Sequence, residues 1–200
     1  MNLGENFVQE GLVNRITPFT TTAEGARRFD TDRVYDNVMN RYKFGGLDKP
    51  GLYLDETIMR MCYTHRRLMS SLAMQLMREN KFEKAENIVR YAEEVIPAQT
   101  VKHNYMSGSL DLARVWLMLG NKQKAEEIVM SIAGNSCEYL QWYAGLAPKI
   151  QNSCANDILY NVYQLNASVD ILADAESEKH KEMDDLLRMY HMMFQEYLYR

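Results

Sequence analysis

Apolar residues recur along most of this chain at spacings of three and four, the period of a helix that hides one face. "FDTDRVYDNVMNRYKF" (29–44) carries Val34, Val38, Arg41 and Tyr42, with Tyr35 and Met39, in such a stripe, with Asp30 or Thr31 placed to cap its first free N–H groups. Gly45 and Gly46 follow, residues that tolerate the left-handed end of a helix. After "LDKPG", Asp55 is placed to cap a longer helix over roughly 56–79. Its apolar face runs through Ile58, Met61, Cys62, His65, Leu68, Met69, Leu72, Ala73, Leu76 and Met77. Residues 1–29 keep no such period. "EGLVNRITPF" predicts a short strand or extended arm, then a Thr-rich loop to Gly25, with little to cover Phe7, Leu12, Val13, Ile16 and Phe19.

Two stretches then resemble each other, 66–97 and 105–137. Both contain Lys-Ala-Glu-x-Ile-Val, at Lys84 to Val89 and Lys124 to Val129, forty residues apart. That offset exceeds the tetratricopeptide period of roughly 34 residues, and the excess falls in the connector "AQTVKHNY" (98–105). Leu72-Ala73 and Leu112-Ala113 supply a large–small pair on the first helix of each unit. Ala85 and Ala125 are the small residues where the second helix crosses it. Pro97 stops the first unit, whereas Cys137 stands where a proline is expected in the second. The tail reads as a helix over 138–151 broken near Gly145 and Pro148, then helices over 152–176 and 177–200, the last capped by Ser177. These fit a degenerate third repeat and a cap, since terminal repeats are atypical. The expected fold is therefore all-α: tetratricopeptide-like helical hairpin repeats (an α-solenoid), with an irregular arm over 1–29, one helical domain over 30–200, and C-terminal capping helices.

Composition narrows the function. At 46% hydrophobic and 25% charged residues, the 200-residue chain is globular rather than disordered. A net charge of −4 gives no electrostatic case for nucleic acid. No apolar run is long enough to cross a bilayer, and the start lacks the basic and apolar regions of a signal peptide. Three cysteines without regular spacing, Cys62, Cys137 and Cys154, make no disulfide framework.

"NRYKFGGLDKPGLYLDETIMRMCYTHRRL" (40–68), followed by the two repeat-like units, resembles the C-terminal soluble region of a group of large bacterial multi-spanning membrane proteins of unknown function. They are grouped with protein O-mannosyltransferase-like glycosyltransferases. The resemblance covers roughly residues 5–145. It implies a tail on the periplasmic side of the inner membrane, attached to a parent that transfers a sugar from a lipid-linked donor. In that family the glycosyl-transfer residues lie in the membrane portion, so the resemblance carries no catalytic residue onto this chain.

No sequence motif adds one. "FGGLDKPG" lacks the phosphate-loop pattern, and Asp55-Glu56 would repel an anion from the helix start. It reads as a stiff turn, with Pro50 setting the angle between two helices. Cys62-x-x-His65 shares one helix face but has no second pair for a zinc site and no orienting third group for a nucleophile. An enzyme would need a deep pocket gathering Cys62, His65 and a carboxylate. No cofactor is expected. Asn166-Ala167-Ser168 matches a glycosylation sequon by chance, within a helix. Arg60 with "THRR" (64–67) forms a basic patch, either a solvated face or a carboxylate-binding one.

Laying the repeat pattern over the chain assigns Arg67, Ser70, Met74, Met77, Ser107, Leu110, Arg114 and Leu117 to the concave surface, a mixture suited to an extended or helical segment. The expected function is a non-catalytic interaction or docking domain, its partner a polypeptide or the membrane portion of its own parent. The alternative is a scaffold that self-associates, for example as a homodimer through "MYHMMFQEYLY".

Overall fold

The computed structural model describes residues 6–19, 28–49, 51–104 and 106–198. The expected Thr-rich loop to Gly25, the stiffening role of Pro50, Tyr105 at the head of the second repeat, and the last two residues of the terminal helix lie outside these. The chain is mostly helical and all-α in class, with one small hairpin of strands. It forms two compact units, 1–101 and 102–200. Their boundary falls inside the predicted connector, where one helical domain from residue 30 onward was the expectation.

In the first unit, β1 (Phe7–Gln9) pairs antiparallel with β2 (Asn14–Ile16). Helix α1 (Thr31–Asp36) is capped by Asp30, whose carboxylate accepts from the Arg33 N–H at 3.1 Å. It continues as a π-helical turn over Asn37–Arg41 and ends at Tyr42, short of the predicted glycines. The arm gives the reason. Asn37 Nδ2 donates to the Glu10 carbonyl at 2.7 Å, and the Leu12 N–H donates to the Tyr42 hydroxyl at 3.0 Å. Those two contacts hold Asn37 and Tyr42 five residues apart across the wide turn, where the Tyr42 N–H bonds the Asn37 carbonyl. Gly11 (φ +141°) is required here, because a Cβ would collide with the Tyr42 hydroxyl.

Helix α2 (Glu56–Arg78) starts where predicted, with the Asp55 carboxylate accepting from the Ile58 N–H at 2.9 Å. It packs on α3 (Phe82–Val95), with Ala73 and Ala85 fully buried. Ile58 and Met61, predicted for its buried face, are exposed. The start of α1 docks on the α2–α3 turn. Thr31 donates to Glu79 at 2.9 Å, while Lys84 and Lys81 reach Asp32 at 2.9 and 3.0 Å. Those two lysines hold the Asp32 carboxyl below its usual range.

In the second unit, α4 (Ser109–Met118) pairs with α5 (Lys122–Ala144), and α5 in turn packs on α7 (Ala155–Asp174). Between them lies the short α6 (Pro148–Ser153), begun by a proline at its first turn. Helix α8 (His180–Met193) returns along α7, and α9 (Gln195–Leu198) follows. Nothing breaks α5 at Cys137. The helix absorbs the segment predicted as separate and stops at Gly145.

The turns after α2, α4 and α7 close identically. Each has one left-handed residue, Asn80 (φ 58°), Gly120 (φ 84°) and Glu176 (φ 57°). The next residue's N–H reaches back five positions: Lys81 to Leu76, Asn121 to Trp116 and Ser177 to Leu172, at 2.9, 2.9 and 3.0 Å.

Candidate functional site

The first unit holds a groove of about 420 Å³ whose floor is one face of α2. Thr64, Arg67, Leu68, Ser71, Gln75 and Arg78 recur there at three- and four-residue steps, so the helix presents them in one row. Gln9, Leu12 and Phe29 of the arm form the facing wall. Gln9 bridges Phe29 in parallel and accepts from the N–H of Asp30, the cap of α1, and Leu12 is held by the Tyr42 hydroxyl at the end of the π-helical turn. Arg67 and Arg78 are exposed, and among the described residues neither has a carboxylate partner. Among the described residues the groove lining holds no Asp or Glu. It can therefore offer two guanidinium forks, with hydroxyl and amide groups between them, to an anionic ligand.

The predicted concave residues divide on exposure. Arg67 faces the groove, and Met74 and Met77 are half-buried on α2. Ser70 is corrected: it is fully buried, with its hydroxyl donating to the Arg66 carbonyl at 2.9 Å. In the second unit Arg114 and Leu117 are half-buried, and Arg114 is paired to Asp111 at 3.1 Å. Leu110 and Ser107 are buried and offer no open surface. Ser107 Oγ lies 2.6 Å from Ser109 Oγ, which lies 2.7 Å from His103 Nδ1. This serine–histidine contact is sealed from solvent, and Asn135 Nδ2 donates to the His103 carbonyl at 2.9 Å. It anchors the start of α4. The sequence scattered these residues around the N-terminus of a repeat helix, with no spacing signal to join them.

The basic patch contains one residue of a different kind. Arg66 is buried, and its guanidinium donates to the carbonyls of Ile96 and Val101 at 2.8 and 2.6 Å. Burial lowers its pKa to about 10, so it remains charged at neutral pH. It satisfies the carbonyl end of α3, where the helix dipole is negative. A run of "HRR" gave no sign of which arginine would turn inward.

Cys62 is buried and His65 half-buried on α2. Burial pushes the Cys62 thiol up, against the opposing pull of Arg66, and pushes the His65 imidazole down. Both therefore favour their neutral forms. The rings of Phe44 and Tyr42 meet the imidazole edge-on at 5.4 and 5.6 Å. Among the described residues no cluster of His, Cys, Asp and Glu could hold a metal, and all three cysteines are unpaired. Ser168 of the sequon is fully buried. No helix among the described residues is long and apolar enough to cross a membrane. Comparison with protein-family models, curated proteins and solved structures finds no match to the chain.

Proposed function

We propose that the chain is a non-catalytic interaction domain built from tetratricopeptide-like hairpins, and that its first unit receives an acidic polypeptide segment in the α2–arm groove. The observation that carries this is the pair Arg67 and Arg78: among the described residues neither has a carboxylate partner and the groove has no acidic lining. An anionic ligand supplies what those forks lack, at little desolvation cost in an open groove. Support for the repeat reading comes from the three identically closed turns and from Ala73, Ala85, Ala113 and Ala125 buried at the helix crossings. By its resemblance, the parent protein is a membrane glycosyltransferase-like protein whose tail lies on the periplasmic side. The bound segment then belongs to an acceptor polypeptide or to the parent's own membrane portion. Recovering the gene with no upstream membrane-spanning segment would sink that placement without touching the groove.

The test is a titration of an Asp/Glu-rich peptide and a neutral peptide of equal length against the whole chain and its Arg67→Ala/Arg78→Ala variant. The acidic peptide binds the native chain more tightly, by about tenfold or more, and the variant loses that preference. Equal affinity of both peptides for the native chain refutes the groove.

A self-associating scaffold is the second reading, favoured by exposed Met189, Met192 and Met193 on α8. Three aromatic residues of that predicted patch, Tyr190, Phe194 and Tyr197, do not contribute because they are buried; its Tyr199 lies outside the described residues. Sedimentation equilibrium separates the readings: a dimer abolished by Met192→Lys supports the scaffold.

A further inference from the structure

The second unit contains a larger cavity, about 800 Å³, within the range of small-molecule sites. It is open to solvent and lies along α7, with His191 of α8 and Leu198 of α9 also in its lining. Leu159, Val162 and Leu198 make it apolar, and Tyr160 and Tyr163 add ring surface. Among the described residues its lining has no carboxylate, ammonium or guanidinium; Asn156, Asn166 and His191 are polar groups of that lining besides Gln164.

Of the polar lining residues, Gln164 is the one that is buried. Gln164 is only 6% exposed, and its Oε1 is buried with no hydrogen-bond partner. Its neighbours on the same helix are satisfied: Asn161 Nδ2 donates to the Asp157 carbonyl at 2.8 Å, and Ser168 Oγ to the Gln164 carbonyl at 2.8 Å. Leaving a buried amide unpaired is costly, while a leucine or methionine there would fill the same space without that cost. Such a group calls for an explanation, and a bound molecule supplies one.

We infer that this cavity is a binding site for a small uncharged aromatic molecule carrying a hydroxyl group. The flat apolar body lies against Tyr160 and Tyr163, and the hydroxyl pairs with the Gln164 amide. A hydroxyl serves in either orientation of the amide, because it donates to the oxygen or accepts from the nitrogen. This site is independent of the groove in the first unit.

The probes are 2-naphthol and 2-methylnaphthalene, which share size and shape and differ in the hydroxyl. Dissociation constants are measured by NMR titration of the full chain, following the methyl groups of Leu159 and Leu198. The native chain prefers 2-naphthol by about tenfold, the effect of one hydrogen bond to an otherwise unpaired buried group. In Gln164→Met the preference vanishes or reverses, with 2-methylnaphthalene still bound. Equal affinity in the native chain, a preference that survives in Gln164→Met, or shifts confined to residues outside α7–α9 each overturn the inference. The comparison within the native chain stands even if the variant does not fold.

Discussion

Arg66 shows how much can rest on one side chain. Its guanidinium meets two backbone carbonyls that have no access to water, one of them at the end of α3. Arg66→Met keeps the aliphatic bulk and leaves both acceptors unpaired, so it destabilises the first unit by about 2–4 kcal/mol. Chemical denaturation reads this directly; a loss below about 0.5 kcal/mol would mean that water replaces the guanidinium. His65 adds a pH dependence. Its folded pKa lies below its unfolded value because burial disfavours the cation. The unfolded chain therefore binds more protons as pH falls below about 6.5, and the stabilisation is lost as pH drops through the folded pKa. The thermal midpoint falls between pH 6.5 and pH 5, and His65→Phe, which suits the ring pocket of Tyr42 and Phe44, shallows that fall. Identical slopes would assign the effect to other groups. The carboxylates lose stability in a lower window. Although burial opposes it, hydrogen bonds from Lys81 and Thr31 hold Glu79 below its usual range. Its contribution is lost only as pH falls through that lowered pKa.

At the scale of elements, the hairpin turns are the common device. Gly120 has open space where a Cβ would stand, so the cost of Gly120→Ala is that of a left-handed backbone alone, about 1 kcal/mol. Asn80→Gly acts in the opposite sense and raises the midpoint, because Asn tolerates that conformation less well than Gly. Equal midpoints for both variants would separate the two turns, despite their matching hydrogen bonds. Two helix starts were legible in the residues, since Asp30 and Asp55 cap as their positions imply, and the Leu-Ala and Lys-Ala-Glu spacings locate α2 to α5; the last helix was not, because α8 begins at His180 and Ser177 does not cap it. The end of α1 was not legible, because Gly11, Asn37 and Tyr42 decide it through contacts some thirty residues apart. Nor was the length of α5: a missing proline at Cys137 leaves a helix free to continue, and only Gly145 and Pro148 set its limit. The candidate site was legible in part. Arg67 carries a visible charge, but Arg78 stands three turns further on and the repeat pattern did not select it. Ser70 and Ser107 were assigned to the surface by the repeat pattern, yet each is buried and hydrogen-bonded.

For the whole molecule, the division at residues 101 and 102 gives each unit its own buried set. In the first these include Leu72, Leu76, Ile88 and Ile96; in the second, Trp116, Ile132, Leu140, Ile158 and Phe194. The segment 102–200 expressed alone is expected to show a helical circular-dichroism spectrum and one cooperative thermal transition, since about a hundred residues suffice for a core. A disordered spectrum would show that it depends on the first unit. The arm belongs to the first unit but leaves Val13 and Phe19 68% and 77% exposed. Shortening the chain to residue 29 removes the Leu12 and Gln9 wall of the groove as well as that apolar surface.

That wall and its floor make α2 a measuring rod. Arg67 and Arg78 are eleven residues apart, three turns of helix, which places their Cα atoms about 16 Å from each other along the axis. An extended peptide covers that distance in about five residues. Acidic pairs moved through a peptide one position at a time should therefore bind best near that spacing. Charge count alone would not set affinity: the groove would sort its ligands by the interval between their charges.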